Sequence, residues 1–155
     1  MCDYSLAGLP SRLANEGEEL VIHKFRTGSK GLASPQDLCI SSAPTERKSW
    51  WERIKAALAD APPAPCAPAV CIPPGAELLM KDIPKDLQRR WNTGVQERVF
   101  FVQISAMENS YRDAVRFESG AQPLLQEMRE GMRVEVVSLG DRERVSAPRE
   151  SAAVW

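Results

Sequence analysis

"REGMRVEVVSL" (residues 129–139) and "NEGEELVIHKF" (15–25) are the two stretches on which the fold reading turns. In the first, Met132, Val134 and Val136 alternate with Arg133 and Glu135. Side chains on an extended chain point to opposite faces with a period of two, so this pattern predicts a strand with Met132, Val134 and Val136 inward. In the second, Gly17 supplies a turn and the run from Leu20 to Phe25 is rich in strand formers. Val21, His23 and Phe25 share one face of that strand; Leu20, Ile22 and Lys24 share the other. The two segments align without gaps, sharing Glu-Gly and then the same apolar rhythm. A duplicated half-barrel would produce this echo. Two ordinary turns, each leading into a strand, would produce it as well, because Glu-Gly ahead of a strand is common turn chemistry. One matched segment is too little for a repeat, so the second reading is taken.

Working outward, "RVFFVQIS" (98–105) is apolar on both faces, as expected of a central strand. "YRDAVRFESG" (111–120) places Val115 and Phe117 on one face and ends in a Ser119-Gly120 turn. "AELLMKDIP" (76–84) predicts a further strand, and "PKDLQRRW" (84–91) a short helix with Pro84 at its start. "QPLLQEM" (122–128) reads as a strand or short helix, and "RTGSKGLASPQDL" (26–38) as a long, turn-rich loop. The clearest helix is "SWWERIKAALADAPP" (49–63). Ser49 and Glu52 fit a capping box, Trp51, Ile54 and Leu58 form an apolar stripe, and Pro62 and Pro63 stop the helix. Trp51 is expected to pack inward.

"APPAPCAPAVCIPPG" (61–75) holds six of the twelve prolines and predicts an extended, semi-rigid connector. The expected fold is therefore mainly β, a β-rich α+β domain: a small barrel or strongly curled antiparallel sheet, with one helix at about 50–60 and a short one near 84–91. The single domain spans 1–140, with the helix and proline-rich connector inserted at about 41–68 and a charged tail at 141–155. Phe100, Val102, Ile104, Val115, Phe117, Val134 and Val136 are the expected core.

The 155 residues suit one domain of ordinary size, and 43% apolar with 26% charged residues is normal for a soluble one. Twenty basic and 21 acidic residues leave a formal charge of −1, without the basic face of a nucleic-acid binder. No run reaches the roughly 18 apolar residues of a transmembrane helix, and the N-terminus lacks the pattern of a signal peptide. The expected location is cytoplasmic, where Cys2, Cys39, Cys66 and Cys71 would be reduced thiols.

Chemistry is sparse. If Met1 is removed, Cys2 becomes the N-terminus, and its α-amine can act as base for its own thiol. Asp3 and Tyr4 stand beside it and can orient or polarise it, and Tyr4 is also a candidate binding residue. His23, the one histidine, must serve any Cys-His scheme, although on an apolar face a histidine is more often a core residue. "RTGSKG" (26–31) offers Arg26, Ser29 and Lys30, with two glycines, as an anion-binding loop. Cys66 and Cys71 have the spacing of half a zinc site, but the remaining ligands lack motif spacing, so no metal and no cofactor is expected. No phosphate-loop, dinucleotide, HExxH or GxSxG motif occurs.

From "MCDYSL" (1–6) through "GEELVIHKF", "TGSKGLASP", "AVCIPPGAEL" (69–78), "RDAVRFESG" (112–120) and "GMRVEVVSL" (131–139), the chain resembles a family of small bacterial proteins that open with this hexapeptide. The resemblance implies that the segment at about 41–68 is an addition, that Cys2 and Cys71 are family positions, and that Cys39 and Cys66 are peripheral. It carries no activity over to this chain. A DNA-crosslink family also opens Met-Cys but continues differently, and its further motifs are missing. The leading expectation is a small cytosolic β module that binds a small ligand or a protein partner, with no nucleic acid and no membrane. The alternatives are an enzyme of acyl- or amide-transfer type using Cys2, and a metal-binding protein using Cys and His.

Overall fold

A computed structural model describes residues 6–41, 50–51, 66–107 and 110–140. In chain order its elements are β1 (Ser11–Leu13), β2 (Glu19–Lys24), β3 (Lys30–Ala33), α1 (Pro35–Ser41), β4 (Ala69–Cys71), β5 (Glu77–Lys81), α2 (Lys85–Trp91), β6 (Glu97–Gln103), β7 (Asp113–Phe117), a 3-10 turn (Leu125–Glu127) and β8 (Arg133–Ser138). Trp50 and Trp51 are also helical. The protein is mainly β, as expected. Six strands form one antiparallel sheet in the order β3-β2-β8-β5-β6-β7, and β1 and β4 form a separate parallel pair. Among the described residues no ladder joins β3 to β7, so the sheet is not a closed barrel.

The two echoing segments are neighbours. β2 pairs with β8 in the register Glu19↔Glu135, Leu20↔Val134, Val21↔Arg133. Beyond that ladder, each turn bonds to the other's strand. The Gly17 N–H donates to the Val136 carbonyl (2.7 Å) and the Gly131 N–H to the Ile22 carbonyl (2.8 Å). The Val136 N–H donates to Glu18 and the Ile22 N–H to Met132, both at 2.9 Å. In the gapless alignment Gly17 matches Gly131, Ile22 matches Val136 and Glu18 matches Met132, so the bonds are exchanged by a local two-fold. Both glycines sit at positive φ (+79° and +86°), a conformation that costs a side-chain-bearing residue. The echo is therefore two glycine turns leading into paired antiparallel strands, an arrangement that is locally two-fold without any duplication.

Leu20, Ile22, Leu78, Met80, Val99, Phe101, Val115, Phe117, Val134 and Val136 turn one face of the sheet into the main core. Val70 and Ile72, Leu87 and Trp91 of α2, and Leu125 and Met128 of the 3-10 segment pack against them. Pro84 precedes α2, and Asn92 ends it in the left-handed conformation, its N–H reaching the Gln88 carbonyl. A second, smaller cluster gathers Leu6, Leu9, Phe25, Ala33 and Ala69. Gly31 makes it possible: a Cβ there would stand 2.7 Å from Leu6 Cδ1.

Several expectations are corrected. On β6 the core residues are Val99 and Phe101, whereas Phe100 and Ile104 are 44% and 47% exposed and Val102 is half-buried. A strand apolar on both faces carries no local signal for which face meets the core; Phe100 faces outward because its partners across the ladders are Glu77 and Arg116. Trp51, expected inside, is exposed. The loop at 26–38 contains β3 and the start of α1, where Ser34-Pro35 is a recognisable helix opening. The rest of the helix expected at 50–60, most of the inserted connector and the tail at 141–155 lie outside the described residues.

The face assignment of β6 is open to test. Phe101→Ala should lower the unfolding free energy by about 3–5 kcal/mol in urea titration, and Phe100→Ala by less than about 1 kcal/mol. A larger loss at Phe100 would reverse the assignment.

Candidate functional site

The sequence candidates fall mainly on the β2–β3 hairpin. Cys2, Asp3 and Tyr4 lie outside the described residues. His23 is on the outer face of β2, half-buried, with its ring edge-on to Phe25 at 4.9 Å between centroids. Its Nδ1 stands 3.4 Å from Glu130 Oε1, and the same oxygen accepts the Lys24 N–H (3.2 Å). Arg26 is exposed at the hairpin tip, and Ser29 is buried with its carbonyl accepting the Phe25 N–H (2.9 Å).

Lys30 has a structural occupation. Its ammonium donates to the Met128 carbonyl (2.6 Å) and the Gln126 carbonyl (3.1 Å). The Gln126 amide in turn takes the Lys30 N–H (2.9 Å) and donates to the Lys30 carbonyl (2.8 Å). A side-chain amide thus imitates the next strand and satisfies the edge of β3.

Arg12 on β1 binds Glu18 through both nitrogens and reaches Asp37 of α1 at 3.4 Å. The Arg12 hydrogen bond holds the Glu18 carboxyl below its ordinary value of 4.5, burial working against it, and the same bond raises Arg12. On the outer face Lys81 bridges Glu135 (2.6 Å) and Glu19 (3.5 Å), and its ammonium is raised chiefly by the Glu135 bond. These groups join β1, β2, β5, β8 and α1, and their mutual pairing marks them as ties between elements.

The cysteines depart from expectation. Cys71 is disulfide-bonded, not a reduced thiol, while Cys39 and Cys66 are free. A sulfur in a disulfide is no thiolate ligand, which removes Cys71 from the Cys66–Cys71 metal scheme in this state. Among the described residues no group of three or more His, Cys, Asp or Glu is placed to hold a metal.

The sequence reading missed the outer face of β6 and β7. A groove of about 480 Å³ runs along it, lined by Glu77, Arg98, Phe100, Arg116, Phe117 and Glu118. The Arg116 guanidinium lies over the Phe100 ring, 5.8 Å from its centroid. Arg98 is paired with Glu77 at 2.6 Å, whereas Arg116 has no ion-pair partner among the described residues. The signal was present in "RVFF" and "AVRF": apolar positions of both parities, with an arginine on each strand. What concealed it was the assumption that both faces of β6 are buried.

No family model, no curated protein and no solved structure matches this chain. No helix among the described residues is long and apolar enough to cross a membrane.

Two measurements check the assigned roles. Lys30→Met should cost about 1–2 kcal/mol, since two carbonyls lose a charged donor, whereas Arg26→Ala should stay within about 0.5 kcal/mol; equal effects would deny Lys30 its role. Glu18→Gln should cost about 1 kcal/mol at neutral pH. Because the folded carboxyl titrates below its unfolded value, that stabilisation is complete above the unfolded pKa and disappears as pH falls through the folded one. Urea titrations of both chains should therefore converge as the pH falls through the lowered Glu18 value, and a gap independent of pH would contradict the pairing.

Proposed function

We propose that the chain is a binding module whose site is the outer groove of β6 and β7, and that its ligand is a small, flat, anionic molecule. The observation that carries this reading is an exposed Phe100 with an unpaired guanidinium above it. An aromatic ring left on a sheet surface invites another flat ring, and a guanidinium presents a fork of donors to a carboxylate or phosphate. The groove volume lies within the usual range for small-molecule sites. Glu77 holds Arg98 at the opposite rim, which leaves Arg116 as the cation available to a ligand. No nucleophile lines the groove, so the reading is of recognition and not of turnover.

The curled form of the sheet belongs to the same proposal. Its edge strands both bond to one short stretch. On β7, the Val115 N–H donates to Pro123 (3.1 Å) and the Phe117 N–H to Ala121 (2.9 Å). On β3, Lys30 is held by Gln126 and Met128. A sheet whose two edges meet the segment 121–128 curls toward a barrel, with that segment in the seam. Such curvature would stiffen β6 and β7 and hold Phe100 and Arg116 in fixed relation. A permanently reducing cytoplasm fits less well with the disulfide at Cys71 than with free thiols.

The test uses 2-naphthoate as a flat aromatic anion and 2-naphthalenemethanol as its neutral counterpart, followed by saturation-transfer NMR and titration. Naphthoate should bind the wild type more tightly than the alcohol does. Phe100→Ala and Arg116→Gln should each weaken it about tenfold, the equivalent of about 1.4 kcal/mol. Absence of binding at millimolar naphthoate, or equal binding by both variants and wild type, would reject the site.

A further inference from the structure

On the reading that the β6–β7 groove is the ligand site, we infer that its ligand is an aromatic zwitterion, and that Glu118 binds the ammonium group at the end opposite the anion. Among the described residues that line the groove, four are charged: Glu77, Arg98, Arg116 and Glu118. Two of them cancel, because Glu77 holds Arg98 at 2.6 Å. No ion pair joins the other two. Arg116 lies over the Phe100 ring, which draws its guanidinium across toward β6, and the Glu118 carboxylate has no ion pair or hydrogen bond among the described residues.

An exposed carboxylate is ordinarily only solvated. On the wall of an apolar groove, beside an unpaired arginine, it selects among ligands. A molecule that is only anionic gains from Arg116 and is repelled by Glu118 at the next position along the wall. A molecule with an ammonium at its far end gains from both. Glu77 cannot take that role, since Arg98 already occupies it.

The turn that carries Glu118 is held in place. Glu118 is the first residue after β7, in a turn closed by the Gly120 N–H on the Phe117 carbonyl (3.0 Å). The Ser119 hydroxyl donates to the Trp91 carbonyl (2.8 Å) and ties the turn to α2. The Phe117 N–H is bound to the Ala121 carbonyl (2.9 Å). The backbone on both sides of Glu118 is thus fixed while its side chain stays exposed on the groove. Arg116 and Glu118 stand two residues apart along extended chain, about 7 Å. That separation suits charges at the two ends of a flat ring system and exceeds the spacing of an amine and a carboxylate on a single carbon. The ligand class is therefore a flat ring with a carboxylate or phosphate at one end and an ammonium at the other, and not an α-amino acid.

The experiment titrates the full chain with 2-naphthoate and with 6-(aminomethyl)-2-naphthoate, which adds an ammonium at the far end of the same rings. The aminomethyl compound should bind the wild type about threefold to fivefold more tightly, the gain of one exposed ion pair. Glu118→Gln should erase that ratio and tighten 2-naphthoate by up to about twofold, because a repelling charge is gone. Tryptophan, with both charges on one carbon, should bind more weakly than the aminomethyl compound; tighter binding would overturn the ligand class. Naphthoate bound with no gain from the ammonium, or a gain that survives Glu118→Gln, would overturn the zwitterion and keep the groove as an anion site. Binding of neither naphthalene compound would reject the groove and the zwitterion together.

Discussion

The reciprocal exchange of backbone hydrogen bonds between β2 and β8 is the constraint on which the rest of the structure depends. Gly17 and Gly131 each turn the chain so that one N–H reaches across to the other strand, at Val136 and Ile22. Those two acceptors are themselves fully buried core residues. The same four bonds therefore set register and commit faces: a slip of one residue would turn Leu20, Ile22, Val134 and Val136 out of the core together. Two carboxylates at matching positions, Glu16 and Glu130, approach the symmetry at the periphery, their acceptor contacts offset by one residue. Glu16 accepts the Leu139 N–H (2.9 Å) and Glu130 accepts the Lys24 N–H (3.2 Å), so each turn also caps the end of the opposite strand.

With that pair in place, the neighbours follow. β8 offers its free edge to β5, β5 to β6, and β6 to β7, while β2 takes β3. A six-stranded open sheet leaves two edges, which are liable to pair with other chains. Here both are satisfied by the segment 121–128: by backbone carbonyls on β7 and by a glutamine amide and a lysine on β3. Lys30 is consequently part of the fold, and Gly31 beside it leaves the room that Leu6 and Phe25 fill.

The sheet's two faces divide the labour. The inner face builds a core with α2 and β4. The outer face carries exposed ion pairs over β2, β8 and β5, each worth little by itself, and then changes character at β6 and β7, where Phe100 and Arg116 stand. The second cluster lies at the other end of the sheet, under the N-terminal segment. The groove at Phe100 and Arg116 and the cluster around Leu6 and Phe25 are built on different strands of one framework.

The sequence by itself determined what short-range physics controls. Alternation placed Val134, Val136, Val115 and Phe117 inward, and all four are buried. Pro84 marked the start of α2. Tertiary structure decided whatever depends on a partner distant in the chain. "KGLA" has a glycine and too little length to read as a strand, yet it is one because β2 supplies its ladder. "RVFFVQIS" is apolar on both sides, so only the strands and α2 that cover one side select Val99 and Phe101 for the core and leave Phe100 outside. The echo between the two Glu-Gly segments was visible as a pattern. Its meaning lay in hydrogen bonds between residues more than a hundred positions apart, which no local period encodes.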